Sequence, residues 1–205
     1  MRYALLSLLI ITALLFRPSS GRAQPPHHSL PGVICWQPNR KLRWRDFQAS
    51  APPADARTPP HTRLAACCAS EIAVLPYRDE HDRATLRVES FFVKSRSWVR
   101  DSLGPASRQH LAHEQLHFDI TELFARKIRE KIAQQYAGTR PDNGLDLQDE
   151  ISRLLNEHNE FDQRYDRETH RDASPWLLQR WQALVARELA ALAAYQSTTS
   201  TCGHR

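Results

Sequence analysis

Residues 107–136 read SRQHLAHEQLHFDITELFARKIREKIAQQY, thirty positions with neither Pro nor Gly. Leu111, Ile120, Leu123, Phe124, Ile128 and Ile132 recur at helical spacing, so the stretch predicts one long helix with an apolar stripe. Inside it, His113-Glu114-Gln115-Leu116-His117 sets two imidazoles one turn apart on a single face, where they can share a metal ion. Glu114 flanks that face and is placed to act as general base toward water at the metal. Zinc is the ion this pattern predicts. It acidifies its water and polarises a scissile carbonyl, while a carboxylate takes the proton and passes it to the leaving amine.

Before this helix, residues 63–76 and 84–99 have strand character, with Leu86, Val88, Ser90 and Phe92 alternating against Arg87, Glu89, Phe91 and Val93. The polar run from Arg78 to Arg83 reads as their hairpin connection. Leu42 to Phe47 alternates as a short strand does, and Ala51 to Pro60 is a Pro-rich loop. Residues 24–38 show no core pattern, and the His27-His28 pair there reads as solvated.

After the helix, Asp142-Asn143-Gly144 marks a turn. A second helix is predicted from about Asp146 to Thr169, striped by Leu147, Ile151, Leu154, Leu155, His158, Phe161 and Tyr165. A third opens at Ser174-Pro175, an N-cap followed by a first-turn proline, and runs to about Tyr195 with Trp181, Leu184, Val185, Leu189 and Leu192 inward. No internal repeat is visible. The expected class is α+β: a short antiparallel sheet packed on a zincin-like active-site helix, followed by two further long helices. Residues 24–205 are expected to form this as a single domain.

Residues 1–23 have the layout of a signal peptide. An apolar run from Ala4 to Phe16 is followed by Pro18 and by the small residues Gly21 and Ala23, which implies a secreted or periplasmic protein with no membrane span after processing. The formal net charge of +5 is spread over scattered arginines, which argues against a nucleic-acid partner and for a solvated surface facing an anionic envelope. Cys35, Cys67, Cys68 and Cys202 are an even count in an exported chain and suggest up to two disulfides. The adjacent Cys67 and Cys68 are each expected to reach Cys35 or Cys202 rather than each other, with the pairing left open.

A catalytic zinc takes three protein ligands, so the helical pair needs a partner from elsewhere. His117 is followed by Phe118-Asp119, which does not continue into the longer His-rich motif of metzincins. The end of the second helix offers Asp166, Glu168 and His170 within six residues, and helical phase alone does not choose among them. Asp119 and Glu122 read as residues that orient a ligating imidazole or form salt bridges. Tyr165 or His170 is placed to steady an oxyanion.

The sequence resembles the predicted secreted zinc-dependent proteases grouped as domain of unknown function 922. The likeness lies in Leu42-x-Trp44-x-Asp46-Phe47, the strand pair, His113-Glu114-Gln115-x-His117-Phe118-Asp119-Ile120, and Tyr165-Asp166-x-Glu168-Thr169, and it spans most of residues 24–205. The family's late motif, Tyr-Asp-x-x-Thr-x-His-Gly, is met at Tyr165, Asp166 and Thr169. Arg171 and Asp172 stand where its His and Gly would be, and His170 falls one place early. The resemblance implies hydrolysis of a peptide or protein substrate, with Glu114 as catalytic base and Zn2+ held by His113, His117 and the matching Asp166. By analogy with zinc peptidases of this broad type, the sheet would lie over the helix and pair its edge with an extended substrate. The rival expectations are a non-catalytic zinc-containing envelope or protein-binding domain, and a zinc hydrolase of a non-peptide bond.

Overall fold

The computed structural model describes residues 32–52, 65–79, 81–136, 144–171 and 175–198, without the side chains of residues 144–145 and 170–171. The expected signal peptide, His27-His28, Cys202 and the Ser174 cap lie outside the described residues, as does the side chain of His170.

The class is α+β. Strands β1 (Val33–Cys35), β4 (Ala84–Val93) and β3 (Ser70–Arg78) form an antiparallel sheet in the order β1-β4-β3. Strands β2 (Ala66–Cys67) and β5 (Trp98–Val99) form a second, two-stranded sheet. Helices α1 (Ser107–Tyr136), α2 (Gly144–Arg171) and α3 (Pro175–Ala191) complete the chain. The β3–β4 register runs from Ser70 opposite Phe92 to Arg78 opposite Ala84. The intervening turn is organised by Asp79, whose carboxylate accepts the backbone N–H groups of His81 and Arg83. Asp82 takes φ 60° there, a left-handed conformation that Asp tolerates.

The long helix α1 is the axis of the molecule. Leu116, Ile120, Leu123 and Phe124 pack with Tyr165 of α2 and with Leu178, Trp181 and Val185 of α3. Phe118 meets Phe92, Ile34, Trp36, Leu42 and Phe47. Further along, Ala125, Ile128 and Ile132 close on Val88 of the sheet and on Ile151 and Leu154 of α2. A helix covered on so many sides must satisfy every polar group it carries inward. Glu122 is fully buried and does so by bonding Arg126, Arg129, Ser90 and both the backbone N–H and hydroxyl of Ser197. That cluster ties the segment after α3 back to the axis.

Five expectations are corrected. Leu42 to Phe47 is not a strand; Trp44–Asp46 is a 3-10 turn. Its alternation arises because Asp46 turns inward to accept the Arg43 N–H and a two-pronged bond from Arg40, while Trp44 stacks edge-on against Phe47. The chain before Pro38 is not wholly irregular, since β1 pairs Ile34 with Phe92. The two predicted strands are interrupted at Cys68-Ala69 and at a 3-10 turn over Lys94–Arg96, and α3 ends at Ala191, with Ala193–Tyr195 a separate 3-10 turn. Cys35 is disulfide-bonded, whereas Cys67 and Cys68 are free thiols, so neither adjacent cysteine reaches the partners expected for it. Among the described residues no helix is long and apolar enough to cross a membrane.

Candidate metal centre

Antiparallel packing of α1 on α2 brings the two halves of the site together. His113 and His117 project from one face of α1, and Asp166 projects from the facing side of α2. His113 Nε2 lies 3.2 Å from His117 Nε2 and 3.2 Å from Asp166 Oδ1, and His117 Nε2 lies 3.1 Å from the same oxygen. These three donors form a nearly equilateral triangle and could hold a metal ion. A tetrahedral ion with bonds of about 2.0 Å has ligand-to-ligand edges of about 3.3 Å, so the triangle fits one face of a zinc-sized site.

The opposite nitrogen of each imidazole is occupied. His117 Nδ1 lies 2.6 Å from Asp162 Oδ1, a short charge-assisted bond. His113 Nδ1 lies 2.8 Å from the Tyr165 hydroxyl, which itself donates to the His113 carbonyl oxygen at 3.2 Å. Since that hydroxyl spends its proton on the carbonyl, it accepts from His113 Nδ1–H. With Nδ1 so engaged, each ring directs Nε2 at the shared point, the nitrogen that can serve a metal once any proton on it is displaced. Tyr165 also stacks on His113 with ring centroids 4.7 Å apart, and Thr169 secures the helix end by donating to the Tyr165 carbonyl oxygen.

Charge points the same way. Burial opposes an imidazolium at His117, yet the bonds from Asp162 and Asp166 outweigh it and push its pKa up to about 10. Carboxylates gathered around two imidazoles create a potential that calls for a cation, and a proton supplies it in the metal-free chain. Burial first, then Glu114, Asp166 and Asp162, drive the Tyr165 phenol far above its ordinary value, so it stays a neutral acceptor. Glu114 itself is buried, at 6% exposure, beside this pair.

Each residue singled out from the sequence has a definite place, apart from His170. His113, His117 and Asp166 converge. Glu168 does not join them: it lies on the other flank of α2 and accepts from the Trp181 indole N–H at 2.9 Å. Asp119 orients neither imidazole. It stands about 200° round the helix from His117 and accepts from Trp36 Nε1 at 2.7 Å and Gln115 Nε2 at 3.0 Å. Glu122 belongs to the arginine cluster, as the salt-bridge reading had it. Tyr165 supports His113 with its hydroxyl instead of facing an oxyanion.

Sequence reasoning missed Asp162. The signal was present: His158, Asp162 and Asp166 recur every fourth residue on α2, as His113, His117 and Thr121 do on α1. The two polar ladders meet rung to rung, with Thr121 Oγ1 3.4 Å from His158 Nε2 and 2.7 Å from Ser70 Oγ. No protein-family model, curated protein or solved structure matches this chain, so the family resemblance rests on its motifs alone.

Proposed function

We propose that this chain is an exported zinc metallopeptidase that hydrolyses peptide bonds. The observation that carries the reading is the convergence of His113 Nε2, His117 Nε2 and Asp166 Oδ1 within 3.2 Å of one another, next to a buried Glu114. When bound, zinc supplies a Lewis acid that polarises the carbonyl and acidifies water. His113, His117 and Asp166 would hold it. Asp162 and Tyr165 keep the two imidazoles aimed. Glu114 takes the proton of the attacking water and returns it to the nitrogen as the C–N bond breaks.

The first test is elemental mass spectrometry of purified residues 24–205 beside His113→Ala. Near one zinc per chain, lost in the variant, is expected. Glu114→Gln should then keep the metal and lose about 10²–10⁴-fold in hydrolysis of a peptide library. Full turnover in Glu114→Gln would overturn the mechanism, and bound zinc with no turnover in any form would favour a non-catalytic domain.

A further inference from the structure

Helices α2 and α3 enclose a groove of about 720 Å³ on the side of α2 turned away from the metal centre. Arg164 and Glu168 line one wall, and Arg180, Trp181, Leu184 and Arg187 line the other. Positions 164 and 168 lie about 200° round the helix from Asp166, so the groove is separate from the proposed active site.

Its charge is unbalanced. Glu168 is committed to the Trp181 indole, and among the described residues the other carboxylate bonded to a lining arginine is Glu188, which pairs with the exposed Arg187. Among the described residues, Arg164 and Arg180 make no ion pair with a carboxylate. Arg164 is held in place by stacking on Phe161 and Trp181, 5.0 and 5.4 Å from the ring centroids. A guanidinium fixed against two aromatic rings loses little freedom when it meets an anion. Arg180 and Arg187 are seven residues apart, hence on one face of α3 and about 10 Å apart. A peptide in the polyproline II conformation advances about 9 Å in three residues and returns residues i and i+3 to the same side, and Leu184 between the two arginines offers an apolar contact for a side chain between them.

We propose that this groove binds a stretch of acidic polypeptide carrying two carboxylates about three residues apart, with Arg180 and Arg187 taking the pair and Arg164 closing from α2. Nucleic acid suits it less well. Trp181 is the aromatic side chain in the lining, and its ring is covered by edge contacts to Phe161 and Tyr165 and by Arg164, which leaves no stacking platform for bases. The groove's use as a holding site for the substrate rests on the metallopeptidase reading; the binding itself does not.

The test is fluorescence anisotropy with residues 24–205 bearing Glu114→Gln, so that the probe is not cut. The probe is a labelled octapeptide with two Glu separated by two residues, one of them Leu. Binding that weakens with added salt is expected, with a loss of about tenfold or more when Gln replaces both Glu, or in the Arg180→Glu/Arg187→Glu variant. Arg164→Lys should keep the salt dependence but bind more weakly, because an ammonium does not stack as a guanidinium does. All of these side chains are exposed, and circular dichroism checks that the variants fold. Equal binding by the charge-reversed variant would overturn the proposal, and so would equal binding of single-stranded DNA lost in the same variant. If the peptide binds as expected and the wild-type chain hydrolyses nothing, the docking site stands and only its use in proteolysis falls.

Discussion

The bond between Asp162 and His117 gives the sharpest test of the metal centre. At 2.6 Å it is a short charge-assisted bond to the His117 ring, and Asp162 is about a third exposed, so replacing it leaves no buried void. Two effects follow from removing the carboxylate, and they oppose one another. His117 loses the group that fixes its ring and tautomer, which weakens metal binding by about 10–100-fold, or about 1.4–2.8 kcal/mol. It also loses one of the two carboxylates that hold its pKa up to about 10, so the proton competing with the metal is held less firmly. Asp162→Asn and Asp162→Ala share the second effect, but only Asn keeps an acceptor for Nδ1–H. The ratio of their zinc affinities therefore isolates the orienting bond. Competitive titration against a chromophoric chelator should find Ala weaker than Asn by about tenfold or more. Because metal uptake requires release of the proton, binding fails as pH falls. In Asp162→Asn, which keeps the orienting bond, the failure should come at a lower pH than in the parent chain. Equal affinities for Asn and Ala would refute the assignment of Asp162 as the residue that aims His117.

Glu122→Ala strands the buried Arg126 and the half-buried Arg129 without their carboxylate and should cost about 3–5 kcal/mol in urea unfolding, whereas a cost under about 1 kcal/mol would contradict the cluster. Burial opposes the Glu122 carboxylate, but Arg129 and the bonds from Ser90, Ser197 and Arg126 prevail and keep its pKa below the ordinary value. Its contribution is present above that ordinary value and is lost as pH falls through the depressed one, so an acid unfolding series should show Glu122→Gln losing less stability than the parent over that window. Tyr165→Phe keeps the ring between His113 and Trp181 but removes the acceptor for His113 Nδ1–H, and should weaken zinc binding about tenfold with little change in the unfolding midpoint. Gln115→Ala deprives the buried-side Leu42 N–H of its acceptor and should cost about 1–3 kcal/mol of stability while zinc stoichiometry stays unchanged.

What the sequence disclosed and what it hid divide along a physical line. The extent of α1 was readable to the residue because thirty positions without Gly or Pro carry a stripe that only a helix can bury. The β3–β4 hairpin was readable from its alternation and its polar turn. Leu42 to Phe47 misled because an alternating pattern also arises when a short turn buries Leu42, Asp46 and Phe47 at unequal spacing, and the buried Asp46 was the warning that no half-buried strand should contain. Strand β1 hid because three residues are too few for a period to show. The pairing expected for Cys67 and Cys68 failed because an even count of cysteines says nothing of which of them lie close in space.

The third donor shows the limit most plainly. Periodicity on α2 could not separate Asp166 from Glu168, because choosing between them requires knowing which flank of the helix meets α1, a fact of tertiary packing. Tyr165 decides it. Fully buried, it lies between His113 and Trp181, and its hydroxyl must find partners inside the core. Those partners are His113 Nδ1 and the His113 carbonyl, which fixes the rotation of α2 and turns Asp166, the next residue, onto the imidazoles. Glu168, two residues on, is carried to the far side, where the Trp181 indole takes it. One buried phenol thus selects the donor on one flank of α2 and leaves the arginine-lined groove on the other, so the metal-binding face and the proposed docking face are set by the same packing contact.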